Sequence, residues 1–359
     1  MLNFKQALAG ARREAIPHDE PHEKNKITHI GIDLGTVNTI VYISGSGIVF
    51  NEPSVVAFDT KTKDIIAVGH AAKNMIGKTH SKIKVIRPLT HGAVSDKTAA
   101  RAFLETIINS SIRGEISKSR ATVLICCHAD LSTIERKALK ELASSFGIND
   151  VLVEEEVKAG AIGMGIDIFK ATGTLVIDIG GGSTDIGVLS LGDLVVSQSI
   201  KLAGETFDNE IVKFMKFKKN FEIGPSTAEE VKKQLATLKK ELPNDITMDV
   251  MGRDLKHGLP STITVKQSEI RDVLNKSFNV IVGEVFKVLE SCPPEISSDI
   301  IDDGVHINGG GSLIDGVKEF FEEALGLPVT LSTQPLQSIA MGTKVLLKNR
   351  GNYLIKPYD

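Results

Sequence analysis

GTLVIDIGGGSTDIGVL (residues 173–189) and THIGIDLGTVNTIVYI (residues 28–43) are two versions of one pattern. In each, an apolar run ends on an aspartate, Asp178 or Asp33, a glycine turn follows, and a second apolar run returns. Short apolar runs bounded by glycine read as strands, so each copy predicts strand, turn, strand. A third glycine cluster, INGGGS (residues 307–312), again follows a short apolar run and precedes a helical pattern, LIDGVKEFFEEAL. Glycine lets backbone N–H groups come close to an anion and converge on it. A carboxylate at such a turn can hold Mg²⁺ through its water shell. The segments Asp33, Gly35, Thr36, Val37, Asn38 and Asp178, Gly180, Gly181, Gly182, Ser183, Thr184 therefore read as facing phosphate loops, with Asp33 and Asp178 as the metal carboxylates. A lone Asp-x-Gly-Thr is ordinarily just a turn; the repetition carries the reading. Neither a P-loop nor a G-x-G-x-x-G after a strand accounts for the glycines.

Outward from these turns, strands and helices alternate. Helical spacing of apolar residues covers 97–109, 132–146, 206–218, 226–240 and 267–290, with a strand at 121–126. This is an α/β pattern with a duplicated core and two similar lobes. A length of 359 residues agrees with two domains at about 150 residues each. The net charge of −3 argues against a nucleic-acid partner, which requires a basic face. Three cysteines, Cys126, Cys127 and Cys292, have no disulfide or zinc spacing and suit a reducing compartment. No apolar run reaches the ~18 residues that span a bilayer, and no secretory signal is expected. A cytoplasmic protein is expected, one that can still lie on a membrane surface.

Residues 1–26 differ from the rest. Residues 16–26 read as a linker. Before it, Met1, Phe4, Leu8, Ala11 and Ala15 share one helical face, with Lys5, Arg12 and Arg13 elsewhere. Such a segment can lie in a membrane interface; the alternatives are a frayed tail and a small helix docked on its own domain.

The chain resembles the sugar kinase–chaperone–actin ATPase superfamily and, within it, the MreB family of bacterial actins. IDLGTVNTIVYISGSGIVFNEPSVVAF, AVGHAAKNMIGKT, IRPLTHGAVSD, VIDIGGGSTDIGVLSLGDLV, AGETFDNEIV, TAEEVKKQL, PPEISSDIIDDGVHINGGGSLIDGV and PLQSIAMGT carry the resemblance in order, over residues 27 to about 348. A scarcity of Arg beside Lys, with the departures described below, suggests a resemblance to the divergent paralogues of wall-less helical bacteria, the spiroplasmas. The resemblance implies an actin-like ATPase fold: two duplicated RNase H-like lobes with a nucleotide cleft between them. It divides the chain into an N-terminal extension (1–26), lobe I (27–170, small subdomain about 50–95), lobe II (171–348, small subdomain about 205–270) and a tail (349–359). It implies ATP/ADP and Mg²⁺ as ligands, filaments of the chain with itself or with sister paralogues, cell-shape determination, and membrane lipids as a partner through the N-terminal segment. The location is then the inner face of the cell membrane. Gly204 and Glu205 join the nucleotide-binding residues, Glu229 and Lys232 would contact ribose and adenine, and Gly309, Gly310, Gly311 and Ser312 would cradle the adenosine.

Catalysis turns on VEEEVKAGAIG (residues 153–163). The resembling segment of MreB reads E-E-P-M-A-A-A-I-G, and its second glutamate, with a Thr of the second phosphate loop, positions the attacking water. The shared A-I-G end places these roles on Glu156 and Ser183. Val157 and Lys158 then stand where the family has Pro and Met. Losing Pro relaxes the helix start, and Lys158 is expected to put a cation near a phosphate site. Slow ATP hydrolysis is expected, with a non-hydrolysing structural actin as the alternative and an actin-fold small-molecule kinase behind it. INSSIRGEISKSR (residues 108–120) carries only Ile112 and Ile116 as large apolar residues in its loop, which shifts membrane contact to the N-terminus. Lys348, Arg350 and Lys356 near the end are second in line. His128 reads as a loop or packing histidine.

Overall fold

A computed structural model describes residues 27–90, 93–111 and 120–349. The expected membrane segment at 1–15, its linker, the loop carrying Ile112 and Ile116, and the tail with Arg350 and Lys356 lie outside the described residues. Two compact units result: one of the residues up to Gly163 together with those from Ile339 onward, the other Met164–Ser338.

In the first unit, β1 (Thr28–Leu34), β2 (Asn38–Ile43) and β3 (Gly47–Pro53) form an antiparallel meander. A small sheet of β4 (Val56–Asp59), β5 (Ile65–Val68) and β6 (Ile83–Ile86) and a two-stranded ribbon of β7 (Leu89–Thr90) and β8 (Ala93–Val94) follow. Helix α1 (Lys97–Ser111), β9 (Ala121–Cys127), α2 (Thr133–Ser144), β10 (Asp150–Glu155) and α3 (Glu156–Gly163) complete the main layer. Its strand order is β10-β9-β1-β2-β3, with β9 and β10 parallel to β1. The parallel strands are apolar on both faces because helices cover both; every residue of β9 is buried.

The second unit repeats the plan. β11 (Thr174–Ile179), β12 (Thr184–Ser190) and β13 (Asp193–Ile200) form the meander; then come α4 (Gly204–Lys219), β14 (Phe221–Glu222), α5 (Pro225–Leu235), β15 (Thr247–Asp254), β16 (Pro260–Lys266), α6 (Gln267–Glu290), α7 (Pro294–Asp303), β17 (Val305–Asn308), α8 (Val317–Leu325) and β18 (Val329–Leu331). The order β13-β12-β11-β17-β18 matches that of the first unit, with β17 and β18 parallel to β11. Asp33 and Asp178 occupy equivalent places: each faces a parallel partner, Cys126 or Asn308, near the end of the central strand. The duplication read from the two Asp-Gly turns is thus present in the topology. Helix α6 buries Ile270, Leu274, Phe278, Ile281, Val285 and Val288 at spacings of three and four, the stripe that a helix lays on a core. Phe278 stacks on Phe207 at 5.1 Å and meets Phe321 edge-on.

Two expectations change. The helix expected over 226–240 ends at Leu235, because Ala236 turns extended and Leu238 N–H donates to the Asp315 carbonyl at 2.7 Å. Helix α9 (Ser338–Lys348), expected with lobe II, belongs to the first unit. The reason is close helix packing through glycine: a Cβ at Gly31 of β1 would overlap the Thr343 side chain, and one at Gly342 would overlap the Ala159 carbonyl of α3. Gly342→Ala should therefore lower stability by about 1–3 kcal/mol, since backbone must shift. Urea unfolding checks this through a lower midpoint with an unchanged slope.

Candidate nucleotide site

In the first unit the site residues come from the carboxyl ends of three neighbouring parallel strands, where open α/β sheets bind ligands. Asp33 on β1 and Glu154 on β10 both register with Cys126 of β9. The turn after Asp33 is held from β3's far end by Ser54. Its N–H donates to the Val37 carbonyl at 2.9 Å and its hydroxyl to the Gly35 carbonyl at 2.6 Å. Thr39 Oγ1 lies 2.8 Å from the same hydroxyl. A Cβ at Gly35 would stand 2.5 Å from the Asn38 carbonyl oxygen, so the turn tolerates only glycine there. Asn38 donates to Asn51 Oδ1 at 2.7 Å. Ser54, fully buried, was not singled out in the sequence; nothing local marks it, because its partners are turn carbonyls.

The three consecutive glutamates have three different surroundings. Glu155 is buried and paired with Arg136 of α2 at 3.0 Å; that guanidinium also donates to the carbonyls of Ala129 and Leu131. Helix α2 itself is fixed by a capping box between Ser132 and Glu135. Glu154 is buried against the Lys158 ammonium at 3.0 Å and accepts the Glu155 N–H at 3.2 Å. Glu156, the first residue of α3, is half-buried. The expectation that Lys158 sets a cation among phosphates is corrected: its side chain is 1% exposed and its ammonium lies 3.0 Å from Glu154. Both Cys126 and Cys127 are buried, and burial pushes both thiols up, which makes them inert packing groups. His128 is buried as well, in keeping with a packing histidine.

Burial, then the neighbouring Glu155 carboxyl, pushes Glu154 up to about 8. Burial also works against ionisation at Glu155, but the Glu154 hydrogen bond and Arg136 outweigh it and hold that carboxyl low. The folded chain thus keeps a proton on Glu154 that the unfolded chain, at 4.5, releases. The stabilisation from this group is complete below the unfolded value and is lost as pH rises through about 8. Glu154→Gln is expected to flatten the fall in melting temperature between about pH 5 and 8; thermal melts across that range check it, and a parental slope would refute it.

In the second unit the turn after β11 is closed by Gly180 N–H to the Ser183 carbonyl at 3.0 Å. The N-terminus of α4 sits directly against it: Gly204 and Glu205 donate their N–H groups to the Gly180 and Gly181 carbonyls at 3.1 and 2.8 Å. Ser183 is 7% exposed, and Thr184 spends its hydroxyl on the Leu202 carbonyl at 2.6 Å. Asp178 is buried and pushed up to about 7 by burial and by Asp185, against the Asn308 amide that donates to it at 2.6 Å. A carboxyl so deprived of water and facing a second carboxylate suits a cation. Gly309 lies at φ +80°, and a Cβ there would stand 2.5 Å from Asp178 Oδ1; one at Gly311 would overlap the Ile179 side chain. Those two glycines therefore bring the 307–312 turn flush against the end of β11. Ser312 braces that turn, its hydroxyl donating to the Gly309 carbonyl at 2.7 Å.

Glu229 and Lys232 share α5 but do not pair. Lys232 reaches Asp208 at 2.9 Å and the Gly204 carbonyl at 2.9 Å, while Glu229 pairs with Lys233 at 2.7 Å. Lys232 thus ties α5 to the start of α4 beside the phosphate turn. Asp208 and Asn308 were not singled out in the sequence; their partners are remote in the chain. The structure groups Asp178, Gly180–Ser183, Gly204, Glu205, Lys232 and Gly309–Ser312 in one unit, and Asp33, Gly35–Asn38 and Glu156 in the other. Among the described residues no group of three or more His, Cys, Asp or Glu is placed to hold a metal ion.

Two sheets of one strand order, each with an Asp-Gly turn at the end of its central strand, define an actin-like fold. The MamK double helical filament shares it at TM-score 0.74 and 22% identity, over 90% of this chain and 99% of that one. The MreB/Mbl protein family matches residues 27–354, and the chain belongs to that family of actin-like, cell shape-determining proteins. Bacillus subtilis cell shape-determining protein Mbl is 45% identical over 321 residues, covering 89% of this chain and 96% of that protein. Escherichia coli cell shape-determining protein MreB is 37% identical over 319 residues, covering 87% and 91%. MreB5 of Spiroplasma citri bound to AMPPNP superposes at TM-score 0.86 with 40% identity, covering 90% and 97%; the ADP-bound form gives 0.87 at 40%, covering 92% and 100%.

Proposed function

We propose that this chain binds ATP through its two Asp-Gly turns, hydrolyses it slowly, and assembles with itself into filaments that set cell shape at the inner face of the membrane. The observation that carries the reading is the second turn: α4 closes on its Gly180 and Gly181 carbonyls, and Gly309 and Gly311 bring a second glycine turn flush against the end of β11, where Asp178 is buried. The AMPPNP- and ADP-bound states of Spiroplasma citri MreB5 support nucleotide binding, and the filament of MamK supports assembly. Asp33 and Asp178 would hold Mg²⁺ through water, and the ion supplies neutralisation of phosphate charge. Glu156 orients and polarises the attacking water with Ser183, which is most of what phosphoryl transfer asks of a protein. Gly309–Ser312 take the adenosine side, with Glu229 and Lys232 toward ribose and adenine. The burial of Lys158 against Glu154 removes the departure that pointed to a purely structural actin, and so favours hydrolysis. Electron microscopy with ATP, alone and on lipid vesicles, together with phosphate release, tests the reading; no filaments and no release would overturn it.

Among the described residues no helix is long and apolar enough to cross a membrane. Attachment is proposed at residues 1–15, where Met1, Phe4, Leu8 and Ala11 recur at helical spacing beside Lys5, Arg12 and Arg13. One short helix binds weakly, and a filament presents many. Co-sedimentation with anionic vesicles should require ATP-driven assembly and weaken with salt. A chain starting at Asn25 should form filaments yet remain in the supernatant; equal co-sedimentation would move attachment to Lys348, Arg350 and Lys356.

A further inference from the structure

Helix α3 begins at Glu156 directly out of β10, with no proline at its second position: Val157, fully buried, stands there. The junction is bridged instead by side chains. Glu154, last but one in β10, and Lys158, third in α3, are 5% and 1% exposed and meet at 3.0 Å. The other oxygen of Glu154 accepts the Glu155 N–H at 3.2 Å. One carboxyl thus holds both the backbone before Glu156 and the side chain after it, closing a ring around residues 155–157. On the far side Arg136 anchors Glu155 to α2. A lysine is rarely buried this completely unless paired, since its lost hydration must be replaced.

We propose that Lys158 and Glu154 are positioning residues that pin the first turn of α3 and so fix where Glu156 points. The role rests on the reading that Glu156 orients the attacking water. The pair acts through the rotation of the turn that carries Glu156. Helix starts are otherwise constrained by proline at the first positions, where its missing N–H costs nothing. The pair and a proline at 157 are therefore interchangeable devices, and that equivalence is what can be tested.

The double variant Glu154→Gln/Lys158→Met removes both titratable groups at nearly constant volume, so neither is left buried without the other. It should melt within a few degrees of the parent and keep its KM for ATP within about twofold, while kcat for phosphate release falls about tenfold. Adding Val157→Pro should bring kcat back to within about threefold of the parent, a rescue that a merely packing role would not show. Should the double variant fail to fold, the triple variant decides alone: near-parental kcat supports the pinning role, and a tenfold deficit overturns it. A double variant with parental kcat, or a loss that Val157→Pro leaves in place, overturns it as well. Glu156→Ala runs beside them. A loss in Glu156→Ala with none in the double variant defeats the pinning role alone, whereas parental turnover in Glu156→Ala defeats the hydrolysis reading and this one with it.

Discussion

Asp178→Ala is expected to abolish measurable Mg²⁺-dependent ATP binding, a loss of at least thirtyfold in affinity, or about 2 kcal/mol. The carboxyl is buried at the carboxyl end of β11, beside Asp185 and the glycines of two turns. Alanine also strands the Asn308 amide, which donates to Asp178 at 2.6 Å; an unpaired buried donor costs about 1–3 kcal/mol. Asp178→Asn separates the two effects, because it keeps the size and removes only the charge. It should melt close to the parent and still lose the metal-dependent part of binding. Calorimetry with ATP, with and without Mg²⁺, measures both. Unchanged affinity in Asp178→Asn would remove this carboxyl from the site.

Glu156→Ala should slow ATP turnover at least tenfold, about 1.4 kcal/mol of barrier, while ATP still binds. The half-buried Glu156 starts α3 beside two buried glutamates that are already committed to Lys158 and Arg136. Of the three carboxyls, Glu154 and Glu155 meet Lys158 and Arg136, and Glu156, which opens α3, is the one proposed to orient the water. Ser183→Ala should show a smaller loss in the same direction. Ser183→Thr should leave the rate unchanged or raise it, since a β-branched side chain keeps the hydroxyl in fewer rotamers. Single-turnover phosphate release on the purified chain reads all three, and parental turnover in Glu156→Ala would exclude it as the water-positioning residue.

Much of this protein is legible in residue order alone. The two Asp-Gly turns and the duplication follow from local rules: apolar strands end where glycine must begin, and that chemistry is written in adjacent residues. The stripe from Ile270 to Val288 on α6 likewise announces its helix and its buried face together. The end of α5 at Leu235 was not legible, because a bridge from Thr237 to Asp315, far along the chain, draws the backbone out of the helix. Only the tertiary structure decided what Lys158 does: four positions from Glu154, it reads as a cation for phosphates until burial shows it turned inward. Ser54, Asp208 and Asn308 join the site for the same reason. Their partners are turn carbonyls, a lysine on another helix, and an aspartate on another strand. Helix α9 returns to the first unit because Gly31 and Gly342 leave room for close packing, a complementarity of surfaces that no local pattern records. Sequence determined where the glycine turns fall, since that depends on backbone freedom within a few residues. The structure determined which charges meet, since that depends on contacts between segments that only folding brings together.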